Sequence, residues 1–215
     1  VGSEMCIRDR NLLCPFHYFG ISEFVAGDVH YDDPADFARL TSKQRVKHIL
    51  ENTRRYGFSG PRVKGLIFCG TNKEAEELSE KFNAEGLRTL ALSGADSQQQ
   101  RERAIGRLTT NAQSFQGETP LDYILTVDIF NEGVDIPEVN QVVLLRQTQS
   151  PIVFVQQLGR GLRKSPDKDF VVVLDFIGNY DNNYMIPVAL SGDRSYQKDG
   201  MRKVIVAGLI PGDST

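Results

Sequence analysis

Val63-Lys64-Gly65-Leu66-Ile67-Phe68-Cys69, followed after one glycine by Thr71-Asn72-Lys73-Glu74, is the stretch whose reading decides the fold. Its first part is a short apolar run rich in β-formers and without polar alternation, the pattern of a parallel strand buried on both faces. Its second part opens a helix: Thr71 caps it, and Glu74 three positions on completes the signature of a capping box. Along that helix Ala75, Leu78 and Phe82 share one stripe, and Gly86 ends it. A doubly buried strand running into an amphipathic helix is the building unit of a parallel sheet.

The unit recurs along the chain. Leu87–Leu92 is the next strand, followed by a turn, Ser93-Gly94-Ala95-Asp96-Ser97, and a very polar helix, Gln98–Leu108. A polar loop over residues 109–120 leads to strands at Leu121–Val127, Gln141–Leu145 and Asp169–Phe176. Upstream, Thr41–Tyr56 is a polar helix closed by Gly57, and Asp32–Phe37 is rich in turn formers. Leu12–Ile21 is apolar and aromatic but broken by Pro15, which suits an edge strand or a connecting segment. Asp181–Leu190 is a further candidate helix. This βα repetition predicts an α/β domain in three layers around a mostly parallel central sheet.

Between the last two strands stands Ser150–Arg163, S-P-I-V-F-V-Q-Q-L-G-R-G-L-R. Ser150 is a good N-cap, and Pro151 suits the first helical position, where a missing N–H costs nothing. Phe154, Val155, Leu158 and Leu162 fall on one stripe, and Gln156, Arg160 and Arg163 fall on the opposite side. A solvated basic face would be the ordinary explanation. Two features oppose it. Gly159 and Gly161 flank Arg160, each costing about 1 kcal/mol relative to Ala in a helix, as though something must approach closely. The arginines also lack the Glu partners one turn away that a merely solvated face carries.

The chain of 215 residues allows one or two domains, and its net charge of −3 gives no global basic signature for nucleic acid. Any such contact must come from a local patch. Cys6, Cys14 and Cys69 form neither a metal-ligand spacing nor a disulfide framework, and His17, His30 and His48 have no ligand spacing, so no metal site is read. No apolar run approaches the roughly 20 residues that span a bilayer, and no signal peptide is visible. A cytoplasmic protein with no membrane partner is expected.

Val1–Arg10, V-G-S-E-M-C-I-R-D-R, matches codon by codon the translation of a common transposase-library sequencing adapter. It is set aside as a non-biological scar. The expected organisation is then a domain over residues 11–180 and, over residues 181–215, the start of a following, truncated segment. The true upstream sequence is expected to be lost.

With these elements in place, Gln156–Arg163 resembles motif VI, QxxGRxxR, of the superfamily 2 DEAD/DEAH-like helicases and translocases. The resemblance implies the second of two RecA-like domains, with Arg160 and Arg163 as catalytic arginines reaching across a cleft to the γ-phosphate of ATP. An arginine so placed is worth on the order of 10³–10⁵ in rate in related NTPases. Gln156 would bind ATP and help position them. Asp128–Val139, D-I-F-N-E-G-V-D-I-P-E-V, directly follows a strand, where ligands bind in open α/β sheets, and resembles motif V. By that resemblance Gly133 and Asp135 approach the ribose and phosphates of ATP.

Gly65–Asn72 is similar to motif IV. Its loop would contact the nucleic-acid backbone through Thr71 and Asn72, using the N–H groups and positive dipole end of a helix start. Ser93 and Gly94 stand in the equivalent place after the next strand. Val127, where DEAD-box proteins carry a phosphate-touching Thr, and the E-G-x-D-I-P-E-V form make the chain more similar to DNA-repair and restriction-type members. The tail D-F-I-G-N-Y resembles a bacterial group whose motor is followed by an additional C-terminal domain.

Gly65-x-x-x-x-Gly70 imitates the start of a phosphate-binding loop, but Thr71 and Asn72 occupy the Lys and Ser/Thr positions, and the glycines bracket a strand. No DExx follows a strand either. ATP and Mg²⁺ would therefore be held mainly by an N-terminal RecA-like domain, the partner of this one, and the fragment alone would be inactive. The implied function is part of an ATP-dependent DNA helicase. The alternatives are a non-unwinding translocase subunit of a restriction or defence system, and a non-catalytic nucleic-acid-binding α/β module.

Overall fold

A computed structural model of the chain describes residues 14–21, 24–26, 29–31, 42–127, 136–146 and 163–176. In chain order its elements are β1 (Phe16–Gly20), β2 (Phe24–Ala26), β3 (Val29–Tyr31), α1 (Ser42–Tyr56), β4 (Gly65–Phe68), α2 (Asn72–Ala84), β5 (Thr89–Leu92), α3 (Gln98–Thr109), β6 (Tyr123–Thr126), β7 (Gln141–Leu144) and β8 (Val171–Asp175). Six of the strands form one sheet in the order β1-β8-β7-β4-β6-β5, with every neighbouring pair parallel. β2 and β3 form a separate antiparallel pair that the sequence does not announce. The candidate helix Asp181–Leu190 and the turn-rich Asp32–Phe37 lie outside the described residues.

The apolar runs form strands because both faces of the sheet are covered. Along β4, Leu66 and Phe68 point into one core while Ile67, and Cys69 beyond the strand end, point into the other. β7 divides in the same way, Val142 and Leu144 against Val143 and Leu145. One face is covered by α3 through Ala104 and Leu108, the other by α1 through Val46, Ile49 and Leu50 and by α2 through Ala75, Leu78 and Phe82. Phe82 and Leu108 are both 0% exposed, so truncation to Ala is expected to cost about 3–5 kcal/mol at Phe82 and about 2–5 kcal/mol at Leu108. The three-layer α/β expectation holds, and β1 occupies the sheet edge.

The amino-terminal edge of the sheet is tied by polar groups that leave little freedom. Asn140 donates to the carbonyls of Ser59 (2.6 Å) and Arg62 (2.8 Å) and accepts the N–H of Lys64 (2.8 Å). The Arg62 guanidinium donates to the carbonyls of Arg107, Leu108 and Thr110, filling acceptors that the end of α3 would otherwise orphan. Burial pushes its pKa below the ordinary value. Buried Lys168 donates to the carbonyls of Pro137 (2.5 Å) and Val139 (2.9 Å), joining the segment before β8 to the segment before β7. With that edge fixed, the loops at the opposite edge are held on a rigid base.

Candidate functional site

Because the six strands run the same way, their carboxyl ends line one edge, the place where open α/β sheets bind ligands. Two of the predicted loops open there, Gly70-Thr71-Asn72 after β4 and Ser93-Gly94 after β5. One strand, β6, separates β4 from β5, so the loops stand about 10 Å apart at the usual strand spacing.

In the first loop Thr71 is the N-cap of α2, extended at φ −141° and ψ 156°, and its hydroxyl oxygen accepts the N–H of Glu74 at 3.1 Å. The expected capping box closes only by half. The Glu74 carboxylate takes the N–H of Gly70 at 2.7 Å, instead of the N–H of Thr71, and faces Arg45 of α1 at 2.5 Å. The physical reason is Arg45: a guanidinium from a neighbouring helix holds the carboxylate on the Gly70 side. Gly70 therefore does not offer a free N–H. What remains at this exposed helix start is the Thr71 N–H and hydroxyl and the amides of Asn72 and Lys73, which as first-turn positions have no helical acceptor. Beneath the loop, burial pushes the Cys69 thiol far above its usual range, so it is an inert core group.

In the second loop Ser93 is similarly committed. Its N–H and its hydroxyl donate to the Asp96 carboxylate at 2.6 and 3.1 Å. Gly94 is exposed, and its carbonyl accepts from the Arg101 guanidinium at 2.8 Å. The Arg101 Nε is buried and, among the described residues, makes no hydrogen bond. α3 then starts with a complete capping box: Ser97 accepts the Gln100 N–H at 3.3 Å, and the Gln100 side chain accepts the Ser97 N–H at 2.8 Å.

Of the remaining predicted residues, Arg163 is exposed and stands just before the bridge that pairs Ser165 with Lys168. Gln156, Arg160, Gly133 and Asp135 lie outside the described residues. The end of the segment carrying Gly133 and Asp135 is anchored, since Ile136 (2% exposed) and Val139 (0%) are buried in the α3-side core. Past the end of β7, the Arg146 guanidinium lies over the Phe68 ring, 5.9 Å from its centroid. Among the described residues no group of three or more His, Cys, Asp or Glu side chains is placed to hold a metal ion, and no helix is long and apolar enough to cross a membrane.

Sequence reasoning missed the contacts that shape both loops. Asp96 carried a local signal, an acidic residue two positions after Gly94 in a Ser/Gly-rich turn. Arg45 carried none, because its partner lies on another helix.

The family model of the helicase conserved C-terminal domain matches residues 43–165. Irc3 of Saccharomyces cerevisiae is 26% identical over 162 residues, 75% of this chain and 22% of Irc3. The pre-mRNA-splicing ATP-dependent RNA helicase prp28 of Schizosaccharomyces pombe is 31% identical over 150 residues, 69% of this chain and 20% of that protein. The chain thus spans about a fifth of the length of these curated relatives. Among solved structures, a fragment of an HsdR-type subunit of a type I restriction enzyme from Vibrio vulnificus aligns with a TM-score of 0.57 at 22% identity, covering 83% of this chain and 35% of that one. At that identity the likeness is one of fold, and the six-stranded parallel sheet with its flanking helices is RecA-like.

Proposed function

This chain belongs to the helicase conserved C-terminal domain family of superfamily 2, and from that premise we propose that it is the second RecA-like half of an ATP-driven motor that moves on DNA. The observation that carries the proposal is that the family match runs through the whole of Gln156–Arg163, the Q-x-x-G-R-x-x-R sequence. In the proposed mechanism Arg160 and Arg163 face the γ-phosphate of ATP bound between this domain and a first RecA-like domain. Their fixed positive charge meets the charge that develops during phosphoryl transfer, with no reorganisation at the moment of reaction. Gln156 orients them, and Gly133 and Asp135 border the ribose and phosphates.

The described residues suit the other half of the motor's work, the grip on nucleic acid. The loops after β4 and β5 present N–H groups and the Thr71 hydroxyl along one edge, donors suited to a phosphate backbone and indifferent to base identity. Thr71, Asn72 and Gly94 would touch that backbone, with Ser93 acting through the turn it closes. Mg²⁺, held mainly by the first domain, would supply charge neutralisation on the ATP phosphates when bound.

DNA is preferred over RNA because the D-I-P-E-V segment and Val127 resemble restriction- and repair-type members. The test is ATP turnover by a protein carrying both RecA-like halves, with single-stranded DNA, double-stranded DNA or RNA added. Stimulation by either DNA form above RNA is expected, and stimulation by RNA alone would overturn the DNA assignment. The 215-residue chain by itself, with no phosphate-binding-loop lysine in its sequence, is expected to show no turnover.

A further inference from the structure

We propose that Arg45 and Glu74 are positioning residues for the nucleic-acid contact of the Gly70–Asn72 loop. The inference rests on the assignment of that loop to the nucleic-acid backbone. A carboxylate at the base of an anion-binding loop should, on charge alone, repel its ligand. Glu74 is kept there by two bonds that turn it to a different use. One oxygen takes the Gly70 N–H at 2.7 Å, and the other meets the Arg45 guanidinium at 2.5 Å. The side chains are 10% exposed for Arg45 and 21% for Glu74, so each is turned toward the protein more than toward a ligand.

The consequences for the loop are geometric. The N–H of Gly70 is consumed, and a Cβ added at Gly70 would come to 3.2 Å from the Glu74 carboxylate, which shows how closely the loop is drawn down. The backbone N–H of the same Glu74 is given to the Thr71 hydroxyl oxygen at 3.1 Å. The Thr71 hydroxyl, used as an acceptor by that N–H, still has its own proton to donate beside the amides of Asn72 and Lys73. Arg45 cancels the charge of the carboxylate and, from a separate helix, sets the height of the loop on the sheet edge. The donors facing a phosphate are thereby preorganised and limited in number.

The experiment uses the 215-residue chain and a fluorescein-labelled single-stranded DNA 12-mer, with anisotropy read across a KCl series and amide exchange at Gly70 read by NMR. Glu74→Ala removes a negative charge, yet is expected to weaken binding about 5-fold or more. It should also speed Gly70 exchange at least 10-fold. Arg45→Met should act in the same direction. Arg45→Lys and Glu74→Gln, which keep a donor and an acceptor in place, should recover part of the affinity and of the Gly70 protection, and remain informative if the larger changes impair folding. Tighter binding by Glu74→Ala, with Gly70 protected as in the wild type, would overturn the proposal.

Thr71→Val separates the layers. If it leaves affinity unchanged, the loop is not a nucleic-acid contact and the assignment beneath falls. If it weakens binding while Glu74→Ala and Arg45→Met do not, the assignment stands and the positioning role falls.

Discussion

In the loop after β4 the N–H of Gly70 is taken by Glu74, whose carboxylate is itself held by Arg45 on another helix. In the loop after β5 the N–H of Ser93 is taken by Asp96, a few residues on, and the arginine nearby, Arg101, holds a carbonyl rather than that carboxylate. Both loops end a parallel strand and start a helix, and both occupy their first N–H with an acidic side chain. The second is self-contained: its shape is written into neighbouring residues. The first is coupled, so its shape depends on where α1 packs. A loop of the first kind can be moved by its surroundings, and one of the second kind keeps its form while its surroundings move.

The largest effect should separate the two acidic residues. Glu74→Ala takes away the carboxylate faced by a mostly buried guanidinium, and is expected to cost about 2–3 kcal/mol. Asp96→Ala loses its hydrogen bonds to Ser93 and should cost about 1–2 kcal/mol. Equilibrium denaturation of both variants measures the difference, and equal losses would erase the distinction between the loops.

The helix caps should come next. Thr71→Ala and Ser97→Ala are each expected to cost about 1 kcal/mol. Gln100→Ala should add a few tenths, because only the α3 box is closed in both directions. A larger loss at Gln100 than at Ser97 would mean that the reciprocal bond outweighs the cap itself. The smallest effect contrasts the glycines. Gly94 has nothing within 4 Å of an added Cβ, so Gly94→Ala should stay within about 0.5 kcal/mol. Gly70→Ala must push the Glu74 carboxylate aside and should cost up to about 1 kcal/mol. Thermal unfolding of the pair resolves this, and indistinguishable glycines would break the claim that the first loop is the tighter one.

The fold was legible because its signals are local. Strands such as Tyr123–Thr126 and Val171–Asp175 are buried on both faces, and an unbroken apolar run is what such a strand requires. The stripe Ala75, Leu78, Phe82 was legible for the same reason, and so was Gly86, whose φ of 89° suits the residue that closes α2. The capping box at Thr71 was legible only as far as Thr71, since the direction taken by Glu74 is decided by Arg45. Asn140, Arg62 and Lys168 bind carbonyls far away in sequence, and no periodicity announces such contacts. At the candidate site, the sequence pointed to both loops at the carboxyl edge but not to which N–H groups stay free, because hydrogen bonding within each turn settles that. Gln156, Arg160, Gly133 and Asp135 lie outside the described residues and stand on motif resemblance.

Whether this domain supplies arginines to an ATP site is tested most directly by DNA-stimulated ATP turnover alongside thermal unfolding. The protein to use carries both RecA-like halves, with Arg160→Ala, Arg163→Ala and the corresponding lysine variants. The predicted result is a loss of about 10²-fold or more in kcat for each alanine variant, with stability within about 0.5 kcal/mol of the parent. Lysine should rescue poorly, because an ammonium cannot reproduce the planar fork of a guanidinium. Near-normal turnover in both alanine variants would contradict the arginine assignment.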